Sequence, residues 1–221
     1  MFLFSESIKS ANRDYRVVPT FRIESQFPGP VGGIDEAGRG PWAGPVVAAV
    51  AVFLKPPPKR FEDAIQDSKK LSKTKRESIF KSLHELEDFA FGIGKASVVE
   101  IDLHNILQAT FLAMRRAVQC LPFSPQTLLI DGKFIPKFDG IEAHPVIGGD
   151  GKSLSIAAAS ILAKVTRDQD MEELALECPH YGWERNAGYG TAEHQESLRN
   201  YGITPHHRKS FAPIRVLLNP H

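Results

Sequence analysis

Four carboxylates stand where apolar strands would otherwise continue. Asp35 and Glu36 follow Ile34 in a stretch that is otherwise free of charge, Asp131 ends the apolar run 128–130, and Asp150 ends the run that contains Val146 and Ile147. A charge at the end of a buried strand is costly unless it is paired or coordinated. Several such acids brought together would also repel one another, and a divalent cation relieves both problems. Oxygen ligands without a nearby cysteine or histidine suit Mg²⁺ or Mn²⁺ rather than zinc. Two such ions, roughly 3.5–4 Å apart, support phosphodiester hydrolysis. Each acid taken alone could instead cap a helix or close a turn, as Asp-Gly pairs such as Asp131-Gly132 commonly do. On pattern alone both readings stand.

The elements that must position these acids are legible in outline. Residues 31–37 read as a strand, turn through Gly38-Arg39-Gly40-Pro41, and return as the apolar strand 45–54, which predicts an antiparallel pair. Pro56, Pro57 and Pro58 end that strand, because proline cannot supply ladder donors. Residues 72–86 have helical spacing, with Ser72 or Thr74 available as a cap and Thr74 with Glu77 fitting a capping box. Residues 89–98 read as a third strand and 102–118 as an amphipathic helix. Short strands follow at 127–130 and 142–147. Residues 153–177 form the longest helix, and its Ala157-Ala158-Ala159-Ser160 start would let it lie close against a sheet. After Pro179 the chain turns irregular, and 191–200 reads as the last full helix. Strands alternating with helices predict a mixed α/β layer fold.

Bulk properties exclude rather than select. The 221 residues suffice for one full-sized domain, and 42% hydrophobic with 24% charged residues argues against a disordered chain. The formal charge of +1, from 27 basic and 26 acidic side chains, does not point to nucleic acid by itself. Two cysteines, Cys120 and Cys178, are too few and too far apart for a disulfide framework, and read as buried or partly buried thiols. No apolar run reaches membrane-spanning length, and residues 1–10 lack the features of a signal peptide. A cytoplasmic location and no membrane partner are the expectation.

Longer blocks carry a resemblance. Gly33-Ile-Asp-Glu-Ala-Gly-Arg-Gly-Pro-Trp-Ala-Gly-Pro-Val-Val47 resembles the signature opening of ribonuclease HII, a type 2 ribonuclease H. The resemblance continues through Asp67-Ser-Lys-Lys-Leu-Ser72, Leu129-Ile-Asp-Gly132 and Gly149-Asp150. It resumes over residues 155–168, at Gly188-Tyr-Gly-Thr191 and at His207-Arg-Lys-Ser-Phe211. The blocks occur in the family's order and span about residues 31–215. The resemblance implies a ribonuclease H-like fold: a mixed five-stranded sheet flanked by helices, with a helical C-terminal appendage. It divides the chain into an N-terminal extension (1–27), a catalytic domain (28–190) and the appendage (191–221). The family's acidic residues fall on Asp35, Glu36, Asp131 and Asp150, as ligands of Mg²⁺ or Mn²⁺. Asp168 competes for the fourth place but sits within a long helix, whereas Asp150 lies in a loop just past a strand.

The resemblance also implies how a substrate would be read. The turn Gly38-Arg39-Gly40 matches the one that recognises a ribose 2′-hydroxyl at an RNA–DNA junction, the group that distinguishes ribose. Tyr189 matches the tyrosine that stacks against the following deoxyribose. Residues 69–76 hold five basic side chains in eight, among which Lys69 is expected to contact phosphate, with Lys152, Lys164, His207 and Arg208 extending the basic surface. The implied activity is an endonuclease acting on RNA–DNA hybrids and on DNA duplexes containing ribonucleotides. Cutting 5′ to the ribonucleotide by a two-metal-ion mechanism would leave 3′-hydroxyl and 5′-phosphate ends. A monomer is expected.

One departure and three alternatives accompany this reading. Where the family commonly has a basic residue before Gly-Tyr-Gly, Asn186-Ala187 stands here. Ribonuclease HIII typically has lysine in place of Arg39 and a long N-terminal domain. A hybrid-binding module without turnover would gain nothing from acids facing phosphate. A metal-dependent phosphatase for small substrates is the third.

Overall fold

The computed structural model describes residues 18–65 and 71–218. Lys69 and residues 1–17 of the N-terminal extension lie outside that range. The strands are β1 (Val31–Ala37), β2 (Val46–Phe53), β3 (Phe89–Ala96), β4 (Thr127–Asp131) and β5 (Glu142–Val146). They form one mixed sheet in the order β3-β2-β1-β4-β5. The expected antiparallel pair is present, with Gly32 opposite Val52 and Ala37 opposite Val47. β3 extends it antiparallel, while β4 runs parallel to β1 and β5 parallel to β4. Every residue of β2 is buried, as expected for a continuous apolar run in a central strand covered on both faces.

Helices cover both faces. They are α1 (Lys59–Ala64), α2 (Lys73–His84), α3 (Val98–Gln119), α4 (Leu154–Glu177), α5 (Trp183–Asn186), α6 (Ala192–Tyr201) and α7 (Ala212–Leu218). One face of the sheet (Ala49, Ala51, Phe53) packs on α4, α1 and α2, and the other (Val46, Val50, Ile34, Ile130) packs on α3. The small residues at the start of α4 do what their size allows. A Cβ on Gly33 of β1 would lie 2.2 Å from the backbone of Ser155 and Ile156, so helix and strand touch main chain to main chain. The fold class is the one expected from the sequence, a five-stranded mixed sheet flanked by helices with further helices at the C-terminal end.

Local details depart from the sequence reading. α2 is capped by Ser72, whose side chain accepts from Lys75 N–H, so the Thr74–Glu77 capping box is not the device used. The third strand stops at Ala96 because Ser97 and Glu100 form a capping box that starts α3 early. That helix is broken at Asn105, which has φ 67°, and the Asn105 side chain accepts from the N–H groups of Leu107 and Gln108 to restart it. Cys120 is exposed rather than buried. Among the described residues, no helix is long and apolar enough to cross a membrane.

Segments before β1 and after α4 brace the sheet and the long helix. Buried Glu24 accepts from Ser153 Oγ at 2.6 Å and Ser155 N–H at 2.8 Å, placing a carboxylate at the N-terminus of α4. At the other end Met171, Tyr181, Trp183, Leu198 and Ile214 form a separate apolar cluster around Ala43, which joins the C-terminal helices to the loop between β1 and β2.

Candidate active site

The sheet register brings the first two acids together. Ile34 pairs with Ile130 across the parallel strands β1 and β4, so Asp35 and Asp131 are the next residues on neighbouring strands, which lie about 4.8 Å apart. Ile34 and Ile130 point into the α3 face, and side chains alternate along a strand. Asp35 and Asp131 therefore both face α4. Asp35 is 6% exposed and accepts from Glu36 N–H at 2.7 Å and from Ser160 of α4. Burial, then the neighbouring charges of Glu36 and Asp131, hold the Asp35 carboxyl well above the usual carboxylate range, and the two hydrogen bonds oppose this only in part. Asp131 accepts from Gly149 N–H at 2.7 Å. That bond ties the single 3-10 turn Gly149–Gly151, which carries Asp150, to the end of β4. Asp168 is paired with Lys164 at 2.6 Å and Arg76 at 3.7 Å.

Beside the acids lies a cleft of about 530 Å³, lined by Glu36, Gly38, Arg39, Gly40, Arg76, Ser160, Lys164 and Tyr189. Arg39 is exposed and meets Glu36 at 3.0 Å. Tyr189 is 51% exposed, and its ring lies over Gly40, where an added Cβ would be 3.3 Å from Cε1. Gly38 has φ +95°, a conformation that glycine adopts freely and other residues resist. Glu36, the Gly38–Gly40 turn and Tyr189 thus line one cleft, and Ser160 in its wall bonds Asp35.

Two other expectations fail. Arg208 and His207, expected to extend a basic surface, are fully buried. The Arg208 guanidinium donates to the carbonyls of Gly38 (2.6 Å), Arg39 (3.0 Å), Gly44 (3.0 Å) and Pro45 (3.1 Å). Arg167, 1% exposed, donates to those of Ala43, Pro45 and Ala187. Arginine can satisfy several carbonyls from one planar fork, which explains how such charges are tolerated inside. Helical spacing signalled Arg167, since Ala163, Arg167 and Met171 share a buried face of α4; nothing in the sequence signalled Arg208. Part of the basic run is structural too: Arg76 donates to Leu71 O at 2.6 Å, and Lys73 pairs with Glu172. Lys152 donates to Ile147 O at 2.5 Å, and Lys164 lines the cleft while paired to Asp168. Asn186, where a basic residue was expected, is buried and shapes the turn, donating to Tyr181 O and accepting from Gly188 N–H.

The family model for ribonuclease HII matches residues 32–214. The chain belongs to the ribonuclease HII family. Ribonuclease HII of Gluconobacter oxydans is 52% identical over 201 residues, covering 91% of this chain and 97% of that protein. Among solved structures, the ribonuclease H2 of Pyrococcus horikoshii superposes with a TM-score of 0.70 at 29% identity, over 85% of this chain and 96% of that one. Bst-RNase HIII, solved in complex with Mn²⁺, shares the fold with a TM-score of 0.67 at 20% identity, over 86% of this chain and 69% of that one. Membership makes the protein a hydrolytic endoribonuclease that cleaves RNA in RNA–DNA hybrids, with the metal dependence typical of the family.

Proposed function

We propose that the enzyme cuts 5′ to ribonucleotides embedded in duplex DNA as well as within hybrids, using divalent ions held by Asp35, Glu36, Asp131 and Asp150. The observation that carries this reading is the register of β1 and β4, which sets Asp35, buried, next to Asp131 and beside Glu36. A cation is the simplest group that offsets such clustered negative charge. The donors are all oxygens, a set that suits Mg²⁺ or Mn²⁺. Among the described residues no group of three or more acidic, histidine or cysteine side chains is gathered closely enough to hold an ion by itself, so substrate oxygens would have to complete the site. Mg²⁺ is commonly held by one or two carboxylates together with substrate phosphate. When bound, two such ions supply charge stabilisation to the attacking and leaving oxygens of in-line hydrolysis, which leaves 3′-hydroxyl and 5′-phosphate ends.

The chain's own residues do the selecting. Asp35 is fixed by Ser160 and by its neighbour's N–H, and Asp131 by Gly149. The Gly38–Gly40 turn offers close backbone approach to a ribose 2′-hydroxyl, and Arg39 adds a fork suited to phosphate. Tyr189, exposed beside that turn, presents a flat apolar face to the next sugar. The pairing of Asp168 with Lys164 and Arg76 supports giving the fourth acidic role to Asp150. Lys69 remains part of the proposal as a phosphate contact outside the described residues. The test is to map cut sites on a duplex with one ribonucleotide, with and without divalent ion. A single metal-dependent cut 5′ to the ribonucleotide is expected; cleavage confined to continuous RNA would contradict the reading.

A further inference from the structure

Behind the sugar-reading edge lies a buried polar array that the chemistry above does not use. Residues 206–208 lie alongside the loop between β1 and β2: Gly44 N–H donates to His206 O at 2.9 Å and Arg208 N–H to Trp42 O at 2.8 Å. Asp102 of α3 accepts from the N–H groups of Lys209 and Ser210, pinning the chain just beyond Arg208. From this fixed base the Arg208 guanidinium reaches the carbonyls of both Gly38 and Arg39, inside the turn itself. Arg167 spans from Ala43 and Pro45 to Ala187, two residues before Tyr189. Neither arginine makes an ion pair among the described residues, so their partners are carbonyl dipoles of the two substrate loops.

A second chain of bonds runs to Tyr189. Thr204 N–H donates to His207 Nδ1 at 2.9 Å, His207 Nε2 meets His194 Nε2 at 3.0 Å, and His194 Nδ1 meets Tyr189 O at 3.0 Å. An amide N–H can only donate and a carbonyl can only accept, so one arrangement satisfies every link. His207 carries its proton on Nε2 and His194 carries its proton on Nδ1, both rings neutral. Trp42 closes the other side, its indole occupying the space a side chain on Gly190 would need.

We propose that Arg208 and His207 are positioning residues that fix the Gly38–Gly40 turn and the Tyr189 ring relative to each other. They thereby set the preference for a ribonucleotide followed by a deoxyribonucleotide over continuous RNA. The proposal rests on the functional reading above, in which the turn reads one sugar and Tyr189 the next. Reading two successive sugars at once demands a fixed spacing, whereas cutting a uniform hybrid needs only the turn and the acids.

The experiment compares kcat/KM on a duplex with a single ribonucleotide and on a uniform RNA–DNA hybrid, alongside melting temperature. Arg208→Lys keeps the charge but loses the fork, and His207→Gln removes the imidazole that links Thr204 to His194 and so to Tyr189. The expected result is that the single-site to hybrid ratio falls about tenfold or more in each variant, since misplacement of about 1 Å is enough for such a loss. If Arg208→Lys does not fold, His207→Gln carries the same test through the same ratio. Equal losses on both substrates, or an unchanged ratio in a folded variant, would overturn the positioning role while leaving the cleavage reading intact. Failure of the unaltered enzyme to cut at a single ribonucleotide would overturn both.

Discussion

Gly33→Ala tests whether the site depends on backbone contact between β1 and α4. A methyl carbon at this position would sit 2.2 Å from Ile156 N and from Ser155 C, whereas ordinary contacts begin near 3.4 Å. Strand and helix must therefore part by more than about 1 Å, and both clashing groups are main chain that cannot rotate away. Overpacking of a tight interior costs about 1–3 kcal/mol and occasionally more, and this contact belongs at the upper end. For a chain of this size about 3 kcal/mol corresponds to a melting drop of roughly 6–12 °C. The same shift reaches the chemistry, because Asp35 lies two residues along the same face of β1 and its partner Ser160 lies one turn along α4. A displacement of that size lowers kcat by about a hundredfold. Gly32→Ala is the internal comparison. Its added carbon would meet only side-chain ends, Leu128 Cδ2 at 2.9 Å and Val50 Cγ2 at 3.0 Å, which can move. It should cost about 1 kcal/mol, with little effect on kcat. Urea unfolding and single-turnover cleavage of a hybrid read both quantities. A Gly33→Ala protein no less stable than Gly32→Ala, cleaving at the wild-type rate, would refute the reasoning.

Asp35→Asn should raise the melting temperature when no divalent ion is present, because it removes a buried carboxyl whose ionisation burial, Glu36 and Asp131 all oppose. The same change should abolish cleavage, and calorimetry with a hybrid cleavage assay checks both halves. His207 is held neutral by burial and by His194, its pKa pulled down to about 4 from an ordinary 6.5. The unfolded chain then binds the extra proton first as pH falls, so stability is full above about 6.5 and declines through about 4. His207→Gln should flatten that decline in melting experiments across this window, and an unchanged pH profile would contradict it. Glu24→Ala removes the acceptor of Ser153 Oγ and Ser155 N–H at the start of α4. It should cost about 2 kcal/mol in urea unfolding, as buried donors left without partners do.

What the sequence disclosed follows the range of the interactions involved. β1, β2 and their antiparallel pairing were readable because they are adjacent in the chain and joined through Gly38-Arg39-Gly40-Pro41. The close seat of α4 was readable in the small residues 157–160. The parallel placement of β4 beside β1 was not, since it joins residues nearly a hundred positions apart, yet that register is what brings Asp35 to Asp131. The early start of α3 was present as Ser97-Val-Val-Glu100 but was hidden by the apolar run before it. Arg208 was misread for a physical reason. A lone arginine among His207 and Lys209 looks like a solvated cation, and its carbonyl partners lie more than 160 residues away. Asp35 and Asp131, by contrast, stood out by interrupting apolar runs, although pattern alone left a cap or turn role equally open.

The most direct test of the account is calorimetric titration of Mn²⁺ into the wild-type enzyme and into Asp35→Asn and Asp131→Asn, each with a bound RNA–DNA hybrid made uncleavable at the scissile phosphate. Clustered acids at the ends of β1 and β4 predict saturable ion binding by the wild type and its loss, or weakening by about a hundredfold, in either variant. Equal Mn²⁺ affinity in all three proteins would contradict the claim that these carboxylates converge to hold the metal.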